Sequence, residues 1–299
     1  MIKLIKAMNF KENCMELIKA CLKDEDLLTS IRQAPSDPTL FTCWWLGQSG
    51  FLIKWNGRHL LLDPYLSDSL TKKYAATDKP HIRMSELVID PARLDFIDIV
   101  SSSHNHTDHL DAETLLPLMQ ANPALKMVIP EANRAFVASR LQCDPAWPIG
   151  LDAGQSIEIQ GFTFTAVPAA HEHVDRDEAG RCHYLGYTVQ FGSFAIYHSG
   201  DTVRYDGMED LLRPFGVDLA FLPINGRTPE RRVAGNLNAS EAARLGKDIG
   251  AKLVVPCHYD MFTFNTADPA DFEKAAKKLG LNFRILAVGE SFQYRELKA

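Results

Sequence analysis

Residues 101–111 read SSSHNHTDHLD: three histidines and two aspartates directly after the apolar run FIDIV (96–100). The whole chain holds only 10 histidines, so four potential ligands within HNHTDH (104–109) form a dense cluster. His104 and His106 are two residues apart and in extended backbone project to one side, while Asp108 and His109 reach a second point nearby. Imidazole nitrogen and carboxylate oxygen suit zinc and other divalent first-row metals without any thiolate. A solvated, histidine-rich turn is the competing reading, and residues elsewhere in the chain have to decide.

Three further candidates each sit just past an apolar run. His171 follows FTFTAVPAA, Asp201 follows FAIYHSG, and His258 follows KLVVPC. Strand ends are where a sheet edge brings residues distant in sequence to one point, so the shared placement argues for a site more than any single residue does. Alternatives stay open one by one. His173 rivals His171, Asp201 could cap a helix, and His258 could be an ordinary core histidine.

Around these residues the chain alternates between strands and helices. FTCWWLGQSGFLIKWNGRHLLLDP (41–64) reads as three strands, with the Asn56–Gly57 pair as a type I′ hairpin turn. DFIDIVSSS and LKMVIP read as strands, DAETLLPLMQ as a helix capped by Asp111, and EANRAFVASRLQ as a second helix. SIEIQGFTFTAVP is a hairpin turning at Gly161, followed by strands YLGYTVQF, FAIYHS, VDLAFLPI and AKLVVP. NASEAARLGKDIG is a helix closed by Gly250, and PADFEKAAKKLG with NFRILAV closes the fold. Two β-rich blocks, each followed by strand–helix alternation, imply two sheets packed face to face with helices outside. Residues 1–35 read as a helical leader ending at APSDP, 36–299 as one domain, and 65–95 as a long surface excursion that could lie over a pocket.

Bulk properties narrow the function. A formal net charge of −6 opposes a general role in binding nucleic acid. No apolar run approaches the roughly 18 residues of a membrane-spanning helix. Cys14, Cys21, Cys43, Cys143, Cys182 and Cys257 are scattered, with no CxxC pair, which suits free thiols in a reducing cytoplasm. The leader helix offers a surface for homo-oligomer assembly.

HNHTDH resembles the HxHxDH signature of the metallo-β-lactamase superfamily, and His171, Asp201 and His258 match the order of its remaining ligands. WWLGQSGFLIK, HTDHLD, YHSGDT and AKLVVPCHYDMFTFNTADP are similar to the ascorbate-6-phosphate lactonase branch, a relative of the N-acyl-phosphatidylethanolamine phospholipase D group. The likeness covers roughly residues 41–270. It implies a four-layer αββα sandwich of two mixed sheets flanked by helices. It also implies two divalent ions, zinc or manganese: one held by His104, His106 and His171, the other by Asp108, His109 and His258, with Asp201 bridging. Such ions, roughly 3.5–4 Å apart, share a hydroxide that is nucleophilic at neutral pH, with Asp108 orienting it or taking its proton. Asp63 resembles the aspartate that buttresses the metal loop.

The resemblance has limits. The lactonase pattern keeps no clear histidine where this chain has His171. His106 stands where the flavo-diiron branch has glutamate, which argues against oxygen or nitric oxide reduction. The interval between Asp201 and His258 is too short for the inserted domain with which RNA-cleaving branches clamp long RNA.

The implied activity is hydrolysis of a small anionic substrate, a sugar-acid lactone or its phosphate. A phosphodiesterase is the alternative, and a non-catalytic metal-binding scaffold the remote one. For substrate contact the candidates are Arg227 first, with Arg231 and Arg232, as anion-binding guanidinium groups. Asn225, Asn236 and Asn238 are offered for hydroxyls or as caps, and Arg204, Tyr205 and Tyr259 for an oxyanion. His173 and His183 could donate protons, His198 could support a ligand, and Trp44 and Trp45 read as core. Each of these also has a purely structural reading.

Overall fold

The computed structural model describes residues 16–295. Its strands are β1 (Leu40–Gly47), β2 (Gly50–Trp55), β3 (Arg58–Leu62), β4 (Ile99–Ser101), β5 (Lys126–Pro130), β6 (Ile149–Leu151), β7 (Ser156–Ile159), β8 (Phe162–Pro168), β9 (Leu185–Phe191), β10 (Phe194–His198), β11 (Leu219–Pro223), β12 (Leu253–Cys257) and β13 (Ser291–Arg295). Its α-helices are α1 (Asp24–Gln33), α2 (Ser69–Tyr74), α3 (Ala112–Ala121), α4 (Arg134–Leu141), α5 (Met208–Leu212), α6 (Ala239–Asp248) and α7 (Pro269–Leu279).

One sheet runs β13-β1-β2-β3-β4-β5-β6 and the other β12-β11-β10-β9-β8-β7. Both are mixed. The hairpin pairs are antiparallel, whereas β3 through β6 and β10 through β12 pair in parallel. The sheets meet through aromatic side chains: Phe51 stacks on Phe221 at 4.0 Å between centroids, and Phe41 meets Phe191 edge-on at 5.4 Å. Every residue of β1, β2 and β11 is buried, as expected for strands covered on both faces. This is the two-sheet α/β sandwich the alternation implied.

Local chemistry explains the joints. Asn56 and Gly57 take positive φ, 46° and 76°, and close the β2–β3 hairpin as a type I′ turn requires. Gln160 and Gly161 do the same between β7 and β8 at 53° and 89°. Asp111 caps α3 by accepting from the Glu113 N–H, and Asn238 with Glu241 forms a full capping box on α6.

Three expectations need correction. Within the expected leader helix, residues 1–15 lie outside the described residues, and of the described part, 16–35, Asp24–Gln33 is the helix; before it, Ile18 bridges to Ser85. Leu27, Leu28 and Ile31 pack into the same core as both sheets. The stretch NFRILAV forms only an isolated bridge, Val254 to Phe283, and the closing strand is β13, paired antiparallel with β1. Nor is 65–95 a surface excursion throughout, because it buries Tyr65, Leu66, Leu70, Val88, Ile89 and Leu94. Its apolar residues are spaced too irregularly to show a period, but they still find core partners.

Candidate metal centre

The candidate ligands all emerge at strand ends. The 104–109 loop follows β4, His171 follows β8, Asp201 follows β10, and His258 follows β12. Gly200, at φ +59°, makes the turn that delivers Asp201, and a Cβ there would lie 2.6 Å from the Ser103 Cβ. His198 at the end of β10 fixes the same turn. Its Nδ1 accepts from the Gly200 N–H at 3.2 Å, and its Nε2 donates to the Ser49 carbonyl at 2.8 Å.

Two groups result, His104–His106–His171 and Asp108–His109–Asp201–His258, each with its ligand atoms within 4.8 Å of one another. Asp201 lies between them: its Oδ1 is 3.2 Å from His109 Nε2, and its Oδ2 is 3.5 Å from His258 Nε2 and 3.7 Å from His171 Nε2. Asp108 Oδ2 is 3.5 Å from His258 Nε2.

Hydrogen bonds behind the rings set which nitrogen faces inward. His109 Nδ1 donates to Asp63 Oδ2 at 2.7 Å, and His171 Nδ1 donates to the Gly235 carbonyl at 2.8 Å. The Ser103 hydroxyl donates to Asp63, leaving its oxygen to accept from His104 Nδ1 at 3.0 Å. In each case the proton is drawn outward and the Nε2 lone pair is presented to the cluster, as in metal-binding histidines generally. Asp63, fully buried at φ +40°, is the hub of this support.

Charge at the site calls for a cation. His104 Nε2, His109 Nε2 and Asp201 Oδ1 are buried with no hydrogen-bond partner among the described residues. Burial and the neighbouring histidines hold His104 well below the ordinary histidine range. Burial alone would lower His109 and His258 too, but Asp201 and Asp108 outweigh it, and His258 is pushed up to about 9. The carboxyls respond in kind: burial opposes ionisation, yet His109 and His258 hold Asp201 far below the usual carboxylate range, and His109 leads in doing so for Asp108. Carboxylates that draw protons onto neutral ligands would draw a divalent ion to the same atoms, so the residues fit a metal.

A cleft of about 420 Å³ opens over the cluster, with His106, Asp108, His171, Asp201 and His258 among the residues lining it. Its walls are aromatic at Tyr74, His81, Phe136, Phe262 and Phe264, and carry side-chain amides at Asn105, Asn236 and Asn265. Lys73 and Arg140 bring positive charge. Arg140 is held by the Asn105 and Leu110 carbonyls and lies 4.4 Å over the Phe136 ring. Lys73 sits 5.1 Å over Tyr74 and forms no ion pair among the described residues. His81 stacks on Tyr74 at 4.2 Å, and its Nδ1 donates to the Lys79 carbonyl at 3.1 Å.

The model of the beta-lactamase superfamily domain matches residues 58–259. The chain belongs to the beta-lactamase superfamily. A UPF0173 metal-dependent hydrolase from Rubrobacter xylanophilus is 30% identical over 248 residues, covering 81% of this chain and 90% of that protein. A namesake from Methanosarcina mazei is 26% identical over 254 residues, covering 83% and 96%. Among solved structures, the metallo hydrolase Igni18 of Ignicoccus hospitalis superposes with a TM-score of 0.64 at 22% identity, covering 87% of this chain and 100% of that one. This member of the superfamily is accordingly a metal-dependent hydrolase. No helix among its described residues is long and apolar enough to cross a membrane.

The substrate candidates fared differently from the ligand candidates. None of Arg227, Asn225, Arg204, Tyr205, Tyr259 and His173 lines the cleft. Arg227 pairs with Glu241 on the surface, and Arg204 with Glu209 and Asp248. Asn225 is buried against Asn236 and Asn265, and Tyr205 donates to the Pro168 carbonyl. Tyr259 packs on Trp45 and donates to the Leu286 carbonyl, and His173 is exposed. His183 bonds Asn133, while Trp44 and Trp45 are core as read. Sequence reasoning missed Gln48, Lys73, His81 and Arg140. Only Gln48 carried a signal, as a polar residue in the turn between two largely apolar strands.

Proposed function

We propose that the enzyme holds two divalent cations, zinc or manganese, and hydrolyses the lactone or ester bond of a small anionic sugar acid or its phosphate. One cation would be held by His104, His106 and His171, the other by Asp108, His109 and His258, with Asp201 serving both. Bound there, the cations supply activated water at neutral pH and polarise the scissile group. Asp108, held ionised by His109 and His258, is placed to accept a hydrogen bond or proton from attacking water. Lys73 and Arg140 attract the substrate's anionic group, while Asn105, Asn236 and Asn265 offer partners for hydroxyls. The aromatic wall gives sugar C–H faces a dry surface and keeps bulk water from the bond being cleaved. Asp201→Ala should lose bound metal and turnover together.

The observation carrying this reading is the coincidence of both ligand groups in one small cleft with Lys73 and a set of amides. A second reading, phosphodiester hydrolysis, draws on Lys73 alone, whose ammonium has no carboxylate partner among the described residues and suits a phosphoryl oxygen. Chelator-stripped protein reloaded with zinc or manganese should hydrolyse sugar-acid lactones faster than bis-p-nitrophenyl phosphate; the reverse order supports the second reading, and turnover of neither refutes both. Cys21, Cys43, Cys143, Cys182 and Cys257 are all free thiols, which supports a cytoplasmic location.

A further inference from the structure

Gln48 lies in the β1–β2 turn at φ +50° and is fully buried. Its backbone carbonyl accepts from Trp45 Nε1 and from the His258 N–H, both at 3.0 Å, so the residue is locked to the strand end that carries His258. The side-chain amide nitrogen donates to Asp108 Oδ2 at 2.8 Å and lies 3.0 Å from His258 Nε2. Those are two atoms assigned above to the second cation. The amide's other end, Oε1, is buried and accepts no hydrogen bond from the described residues.

The two ends of a glutamine amide are almost equal in size, and rotation about one terminal torsion exchanges them. What faces them decides which end points where. Carboxylate and imidazole lone pairs attract the NH₂ group, whereas a cation engaging those lone pairs repels its N–H dipoles and attracts the carbonyl oxygen. Oε1 has no partner to give up in turning over. The backbone is held at the strand end and the residue is fully buried, so the side chain stays beside the cluster in this structure.

We propose that Gln48 supplies its amide oxygen as a further ligand to the cation of the Asp108–His109–Asp201–His258 group. The inference rests on the two-cation reading and extends it to the choice of metal. Structural zinc favours four ligands, whereas a neutral oxygen added to this set suits ions that take five or six nitrogen and oxygen donors, such as manganese or iron.

The test uses the full chain, stripped by chelator and reloaded with cobalt(II), as wild type, Gln48→Leu and Gln48→Glu. Elemental analysis gives the stoichiometry, chelator competition the affinities, and the visible d–d bands report coordination number. Gln48→Leu should weaken one of the two cobalt ions by at least about 10-fold and leave the other unchanged. Its d–d absorption should intensify as the coordination number falls. Gln48→Glu, which presents an oxygen at either end, should bind as tightly as wild type or tighter, and it serves if the leucine variant does not fold. Two ions bound to Gln48→Leu with wild-type affinities overturn the proposal, as does weaker binding with an unchanged spectrum, which would leave Gln48 a positioning residue. Loss of affinity in Gln48→Glu overturns it too. A wild-type chain that takes up fewer than two cobalt ions refutes instead the two-cation reading beneath it.

Discussion

Asp63→Asn isolates the support behind the cluster, because it keeps shape and volume while replacing one acceptor oxygen with a donor. Asp63 Oδ1 accepts from the Ser103 N–H at 3.0 Å, and Oδ2 accepts from the Ser103 hydroxyl and from His109 Nδ1 at 2.7 Å. Either orientation of an asparagine amide sets an N–H against an N–H. The relief open to the site is to move the His109 proton from Nδ1 to Nε2, which removes the lone pair a cation needs. Losing a charge-assisted bond of this kind costs about 1.5–3 kcal/mol. At about 1.4 kcal/mol per decade, metal affinity should fall about 10- to 100-fold. At a metal concentration of 100 times the wild-type Kd, binding stabilises the wild type by about 2.7 kcal/mol. A 30-fold weaker site retains roughly 0.9 kcal/mol of that, a difference worth a few degrees in Tm. Chelator competition at pH 7 and melts with and without metal measure both quantities. A Kd within two-fold of wild type, with unaltered melts, would show that Asp63 does not set the His109 tautomer.

Further outcomes follow from other contacts. In chelator-treated protein the raised pKa values of His109 and His258 contribute stability that is full below about 6.5 and is lost as pH rises, through about 9 for His258. His198, lowered by burial, acts oppositely and costs stability as pH falls below about 6.5. Melts from pH 5 to 10 should therefore peak in between without metal, and bound metal should abolish the alkaline loss by replacing the protons; matching profiles would contradict this. Gly200→Ala, whose Cβ would lie 2.6 Å from Ser103 Cβ and 3.0 Å from the Leu185 carbonyl at φ +59°, should cost about 2–4 kcal/mol in denaturant melts and release metal. Tyr259→Phe leaves the Leu286 N–H, now 3.2 Å from the phenol oxygen, without an acceptor. A loss of about 1–3 kcal/mol is expected with kcat/KM unchanged, and a fall in kcat/KM would restore Tyr259 as a substrate group.

Much of the fold was readable because its signals are local. Asn56–Gly57 and Gln160–Gly161 turn where their left-handed φ values require, and Asp111 and Asn238 cap the helices that follow them. β13 escaped notice because SFQYR is partly exposed and is made a strand by pairing with β1, some 250 positions earlier. The ligand candidates were legible because histidine and aspartate are rare at the ends of apolar runs. Arg227 looked equally well placed in sequence, but Glu241, one helical cap away, turns it outward.

By itself, then, the sequence determined the chemistry available: seven nitrogen- and oxygen-bearing side chains, each placed past an apolar run that forms a strand. Tertiary structure alone decided which atoms of those residues face one another, because ring tautomers depend on partners such as Asp63 and Gly235 that no spacing rule connects to them. It decided the cleft as well. Lys73 and His81 sit on a segment without period or motif, and Arg140 on a helix whose pattern names no site; they reach the cleft because the 65–95 stretch and α4 fold over the strand ends. Ligand identity is a property of residues, which a chain carries openly; a substrate's surroundings are a property of surfaces, which exist only after packing.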